Sequence, residues 1–385
     1  MPAPVSQWPQ GEIGHSRTAR DRVGTAGHDG SGPVLERVSS GRPHPRHPRE
    51  GEEPAVVTDQ ADLYAVATAF RQSRMVAVAV ELDVFSLLAD EPATLTELCA
   101  RLRLHPRPTE ALLNGLCTMG ILALDGDRYR NRAPADSRLD RTEPDYTGGP
   151  FAVAGWQFPL WTRLRALLET GEPQGADAGL GFCPDSVALR RFVEAADARS
   201  ARCGPALARE IDPAGATHVV DLGGARGTVL ASILHAHPHL TGTAFDLHAV
   251  RPLFDEHATR LGLTDRMRFR GGDFFTDDLP PADVYLLGHL LSDWDDDRCA
   301  YLVARAARAL RPGGTLLVHD PLIDPDRPHT NENWVHSLST QLIGPAGTVN
   351  TTDDCRGWLA AAGLTGIEVR AFVDTESLVV GQKLP

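Results

Sequence analysis

Positive charge, cysteine and long apolar runs are all scarce in this sequence of 385 residues, and each shortage excludes a class of protein. Lysine and arginine number 38 against 51 aspartates and glutamates, giving a formal net charge of −13. Phosphate backbones and anionic lipid surfaces ask for a positive face, so neither a nucleic-acid partner nor a membrane partner is expected. The six cysteines, at 99, 117, 183, 203, 299 and 355, are scattered, with no CxxC pair and no histidine cluster at zinc spacing. That pattern reads as reduced thiols in a cytoplasmic protein. No apolar run approaches the ~18–20 residues that cross a bilayer, and the N-terminus lacks the apolar centre of a secretory signal.

What is present suits two domains of ordinary size plus an unstructured piece, with 42% hydrophobic and 23% charged residues. Residues 1–55 are crowded with Gly, Pro, Arg, His, Ser and Glu and show no apolar period, so a disordered tail is expected. Residues 56–148 read as a winged helix. An apolar set from Ala67 to Leu88 recurs at gaps of three and four, and Thr94-Leu95-Thr96-Glu97 has the capping-box pattern that starts the next helix. Pro108 stands near the start of a further helix, Gly120 stops it, and residues 121–129 suggest a hairpin about Asp125-Gly126. Residues 149–212 read as linking and pocket-forming helices, with Trp156, Phe158 and Trp161 on one apolar face.

From 213 to 385 strand and helix alternate, which predicts an α/β, Rossmann-like, doubly wound sheet. Strands are expected at 218–221, 242–245, 267–270, 284–287 and 315–319, with a closing pair near 366–372 and 377–381. Helices are expected between them, among them 228–236, 250–261 and 297–310. The first strand ends in Asp221 and runs into Leu222-Gly223-Gly224-Ala225-Arg226-Gly227, a glycine turn that opens a helix. Glycines suit such a turn because the chain bends sharply and a ligand packs on bare peptide groups. Asp246 ends the second strand about 20 residues further on, where a carboxylate can accept ribose hydroxyls. Gly272-Asp273-Phe274-Phe275 follows the third strand and sets an acid and an aromatic where an adenine lies. Asp246 as a helix cap and Phe274 as plain core are the bland alternatives, but their order at successive strand ends favours a nucleoside cofactor. NAD and S-adenosylmethionine both use this arrangement; Asp221 before the first glycine and the Asp273-Phe274 pair favour the second.

Residues 219–227, 272–275, 283–297 and 309–325 together resemble the bacterial and plant small-molecule O-methyltransferases, the family that includes acetylserotonin and caffeate O-methyltransferases. Leu310-Arg311-Pro312-Gly313-Gly314 before the fifth strand is typical of it, and the likeness runs from about residue 60 to the end. The resemblance implies a homodimer joined through the winged-helix dimerisation domain, with a small, often aromatic, substrate between the two domains. It also implies that S-adenosylmethionine is held by Asp221, Gly223, Gly224, Gly227, Asp246, Asp273 and Phe274, with Gly288 near its methionine end. Ala225 stands where the family usually has a third glycine, which is tolerable if its backbone angles are ordinary.

A larger departure lies in Gly288-His289-Leu290-Leu291-Ser292-Asp293-Trp294. The family has His-Asp-Trp at the end of this segment, and that histidine is the base that takes a proton from the substrate hydroxyl. Here it is Ser292, whose hydroxyl has no useful basicity near neutral pH. Asp320 stands where the family often has Glu, and the second supporting acid falls at Val349 or Asn350. Three explanations are open. The acceptor can be acidic enough, or already nucleophilic, so that alignment with the sulfonium methyl suffices for transfer to O, N or C. His289, three residues before Ser292, or His336 can replace the base, or two histidines with Asp293 or Asp320 can hold a metal. The scaffold can also have turned to non-methylating chemistry such as hydroxylation. A methyltransferase acting on a natural product is the favoured reading. A DNA-binding regulator ranks third, because the winged-helix region mixes Glu97, Glu110, Asp125 and Asp127 with its arginines.

Overall fold

A computed structural model describes residues 57–385 apart from 134, 142–145, 147, 176–185, 213–214, 327–332, 345–346 and 348–349. The tail expected at 1–55, together with Cys183 and Val349, lies outside the described residues.

The first domain opens with α1 (Gln60–Glu81), whose N-cap Asp59 accepts the Asp62 N–H, and continues in α2 (Val84–Asp90). The single apolar series read from the sequence is thus two helices, separated where Asp83 takes a left-handed φ of 59°. β1 (Ala93–Thr94), α3 (Leu95–Leu102), α4 (Pro106–Thr118), β2 (Leu122–Asp125), β3 (Arg128–Asn131) and the short α5 (Ala135–Arg138) complete it. The capping box is present: Glu97 accepts the Thr94 N–H at 2.7 Å while Thr94 Oγ1 accepts the Glu97 N–H at 3.3 Å. Gly120 ends α4 at φ 73°, and β2 pairs with β3 across the Asp-Gly turn; β1, too short to show in the sequence, adds a third strand in the order β1-β3-β2. Val80, Phe85, Leu98, Leu113, Leu116 and Leu122 form the core of this domain. Each such side chain contributes about 1.5–3 kcal/mol by burial. The outer half of α1 leaves Leu63, Tyr64, Val66 and Phe70 more than half exposed.

α6 (Gly149–Trp161), α7 (Leu164–Thr170) and α8 (Ser186–Leu207) lead to the second domain, where Leu160 and Leu167 pack with Leu342 of a later helix. The sheet then runs through β4 (His218–Leu222), α9 (Thr228–Ala236), β5 (Thr241–Asp246), α10 (Arg251–Arg260), β6 (Met267–Gly271), β7 (Ala282–Gly288), α11 (Asp296–Ala309) and β8 (Leu310–Asp320). α12 (Asn333–Ile343), α13 (Thr352–Ala361), β9 (Thr365–Ala371) and β10 (Ser377–Gln382) close the chain. The strand order is β6-β5-β4-β7-β8-β10-β9, parallel from β6 to β8 and antiparallel at β10 and β9. Every strand expected from the sequence is found, most extending a residue or more beyond the expected bounds at one end or both, the fifth beginning at Leu310 rather than 315. One face packs on α8, α9 and α10 and the other on α11 and α13. No helix among the described residues is long and apolar enough to cross a membrane.

His257 on α10 buttresses the start of α9. Arg260 Nη2 donates to its Nδ1 at 2.8 Å, so Nε2 carries the proton toward Thr228 Oγ1, 3.1 Å away. Burial, and then the Arg226 guanidinium, lower its pKa to about 4. A histidine held neutral in the fold contributes stability that is complete above its unfolded value near 6.5 and is lost as pH falls toward 4. Urea unfolding is therefore expected to show on the order of 3 kcal/mol of acid destabilisation across that window, a component that His257→Gln removes.

Candidate active site

β4, β5, β6 and β7 deliver the expected cofactor residues to one edge of the sheet. The turn after β4 places Gly223 at φ 75° and Gly227 at φ 84°, both in the left-handed region that a side chain strains. A Cβ at Gly224 would lie 2.6 Å from the Asp221 carboxylate, and one at Gly227 would overlap Met267. Gly223 N–H donates to the Phe245 carbonyl at 2.8 Å, tying the turn to β5. Asp246 then accepts the Ala225 N–H on Oδ2 at 2.8 Å and the Leu247 N–H on Oδ1 at 2.7 Å. Each oxygen keeps a lone pair for a further donor. Ala225 itself has φ 45°, so the condition of ordinary backbone angles is not met. The bond to Asp246 is what holds a methyl-bearing residue in a conformation that costs about 1–2 kcal/mol.

Asp221 is buried at the end of β4, and desolvation pushes its pKa up to about 7, against the pull of the nearby His319 and with a small push from Asp246. Burial also raises Asp246, opposed by its two backbone hydrogen bonds. Asp273 accepts the Phe275 N–H at 2.8 Å and so caps its own loop. Phe274 lies edge-on to Phe275 and Trp294, with ring centroids 5.0 and 6.0 Å away. The indole Nε1 of Trp294 is buried with no hydrogen-bond partner among the described residues.

The chemical residues separate into groups. Leu291–Asp293 form a 3-10 turn with Ser292 buried and Asp293 exposed. Asp320 is buried, and its Oδ2 accepts the backbone N–H of Leu291 at 3.1 Å and of Ser292 at 3.4 Å. His289 is not one helical turn from Ser292. It precedes the 3-10 segment with φ 50°, and its ring lies beside His319, with Nε2 2.6 Å from Glu376 Oε1. His319 Nδ1 meets the other oxygen, Glu376 Oε2, at 3.0 Å. The two rings hold the Glu376 carboxyl well below the usual carboxylate range in spite of its burial. Gly288 has no side chain to spare here, since a Cβ would overlap His319 Nε2. His336 stands half-buried on α12, outside this group. The histidine that joins His289 is therefore His319, and the acid is Glu376 rather than Asp293 or Asp320. Sequence reasoning missed both, because β8 and the segment before β10 meet only through strand pairing.

Residues 183–365 match the family model of the O-methyltransferase domain, and residues 64–139 that of the O-methyltransferase dimerisation domain. The tetracenomycin polyketide synthesis 8-O-methyl transferase of Streptomyces glaucescens is 42% identical over 331 residues, covering 85% of this chain and 98% of that protein. The chain belongs to the O-methyltransferase family. It is an S-adenosylmethionine-dependent methyltransferase. An N,N-dimethyltransferase of Streptomyces rimosus is 36% identical, covering 80% of this chain and 92% of its own. Among solved structures, an O-methyltransferase family protein from Burkholderia thailandensis superposes with a TM-score of 0.74 at 27% identity, covering 86% of this chain and 99% of the other. The mostly helical dimerisation domain and the mostly parallel sheet are those of this family, and the non-methylating alternative gains no support from these relatives.

The strain at Ala225 is directly measurable. Ala225→Gly is expected to leave cofactor affinity within about twofold and to raise the unfolding free energy by about 1 kcal/mol in a denaturant titration; a loss of stability of that size contradicts the reading.

Proposed function

We propose that the methyl group is transferred to a phenolic oxygen of a small polyketide-type aromatic that brings its own acidity to the site. The observation that carries this is the surroundings of Ser292. It stands where the family's base belongs, and Oδ2 of the Asp320 carboxylate beside it accepts the Leu291 and Ser292 N–H groups. Losing a general base typically forfeits ~10²–10⁴ in rate. A phenol conjugated to a ring carbonyl ionises readily and needs only to be aligned with the methyl donor. The polyketide relative methylates an oxygen and supports that atom. A neutral amine is equally free of the need for a base, and the N,N-dimethyltransferase relative keeps nitrogen as the second reading.

S-adenosylmethionine supplies an electrophilic methyl on a sulfonium sulfur when bound. In this reading Asp246 takes the ribose hydroxyls on its remaining lone pairs, and Gly223, Gly224 and Gly227 let the cofactor lie on the turn. Asp221 meets its ammonium, Phe274 and Asp273 face the adenine, and the orphan Trp294 N–H gives that ring a donor. Gly288 borders the methionine end. The division into 56–148, 149–212 and 213–385 follows the same reading. So does a homodimer, for which the exposed apolar row Leu63, Tyr64, Val66 and Phe70 of α1 offers the face. The mixed charge of the winged helix speaks against a nucleic-acid partner.

Incubation of phenols, keto acids and amines with methyl-labelled cofactor, followed by mass spectrometry, tests the atom: label on phenolic oxygen is expected, and label confined to nitrogen overturns it. Asp246→Ala is expected to weaken S-adenosylmethionine binding at least ~100-fold by calorimetry, with the fold checked by circular dichroism; undiminished binding removes Asp246 from the site. Ser292→His is expected to change kcat by less than about tenfold, since the acceptor needs no base; a gain of ~10²–10⁴ contradicts that expectation.

A further inference from the structure

We propose that Cys203, His289, His319 and Glu376 form a closed, four-ligand site for a zinc-type divalent cation at the carboxyl edge of the sheet. The four come from separate places in the chain: α8, the residue after β7, β8, and the residue before β10. Each offers one ligand atom, Cys203 Sγ, His289 Nε2, His319 Nδ1 and a Glu376 oxygen, and these atoms all lie within 4.8 Å of one another. Cys203 Sγ is 3.4 Å from Glu376 Oε2. Zinc bonds of about 2.0–2.3 Å place the edges of a tetrahedron at about 3.3–3.8 Å, so an ion draws in the widest of these separations and parts the hydrogen-bonded contacts of 2.6 and 3.0 Å.

Three features of the surroundings fit a cation. First, the charge balances: a thiolate, a carboxylate and two neutral imidazoles neutralise a divalent ion, the thiol proton leaving to solvent on binding. Without it, the buried carboxylate is left as the shared acceptor for two rings and a thiol gathered from three other parts of the chain. Second, the backbone is built around the cluster. His289 is held at φ 50°, and Gly288 leaves bare the space that His319 fills. Third, the site is closed to solvent, with Cys203, His319 and Glu376 buried and His289 partly buried. The mixed sulfur, nitrogen and oxygen set selects a borderline ion such as zinc over magnesium or calcium. Four protein ligands leave no open position, so the site is structural, pinning α8 to β8 and β10 beside the cofactor turn.

The test uses the full chain. Equilibrated with micromolar zinc and desalted, it is expected to hold one zinc per chain by elemental mass spectrometry, and its melting temperature to fall when a chelator removes the ion. Loaded with cobalt(II), it is expected to show tetrahedral d–d absorption with a thiolate charge-transfer band, which Cys203→Ser abolishes. His319→Gln should weaken zinc binding by more than the ~10–100-fold typical of outer-shell changes. Zinc well below one per chain in the unaltered protein, or a cobalt spectrum without the thiolate band, overturns the proposal and leaves Glu376 as the acceptor of a plain hydrogen-bonded pair. Both readouts are made on the unaltered chain, so a variant that fails to fold does not blunt them.

Discussion

Between β4 and β7 the sheet changes the direction in which it grows outward, and the helices that follow these strands leave by opposite faces, α9 on one side and α11 on the other. A gap at the carboxyl ends of those two strands is the geometric result, and no regular element can fill it. Everything with chemical content stands around it: Asp221 and the glycine turn on one lip, Gly288 and His289 on the other, Asp246 behind. The hydrogen bond from Ala225 to Asp246 sets the shape of this gap. It pins the turn to the next strand and holds a left-handed alanine there.

Residues whose roles are local were legible in the sequence. Thr94 and Glu97 announce a helix because the capping box spans four residues, and Gly120 and the Asp125-Gly126 turn act through their own backbone angles. The glycine turn and Asp246 were legible for a similar reason, since a strand followed by a turn, then a strand end, has a fixed length. Asp83 and Ala225 were not, because a left-handed residue that is not glycine is held by its neighbours and leaves no mark in composition. His289 shows the limit most clearly. Its place before Ser292 suggested a shared helical face, but one positive φ carries its ring to β8 and Glu376 instead.

Ser292, where the family resemblance implies a histidine, is buried in the 3-10 turn Leu291–Asp293. Asp320 closes on the loop by accepting two backbone N–H groups on Oδ2, which fixes the shape of the segment. The barrier that a base lowers must then be lower from the start, which places the burden on the acceptor. Transfer from a sulfonium to an ionised or neutral nucleophile needs a straight approach and exclusion of water more than it needs a proton acceptor. On the proposed reading, a cofactor crevice without that base is consistent with an acceptor whose acidity belongs to its own conjugation.

The buried cluster around Glu376 bears on the same crevice from below. His319 lies against Gly288 and acts on Asp221, so anything that changes the charge of the cluster is felt at the end of β4. A carboxylate shared by two rings can be satisfied by hydrogen bonds alone, but such bonds do not account for a thiol brought to the same point from α8. A thiol is a weak donor, and burying it against a carboxylate gains little. Bound to a cation, the same thiol becomes the group that ties the linking helix to the strands. The arrangement would then add a direct tie between the strands and α8, which otherwise packs chiefly on α6 and α9.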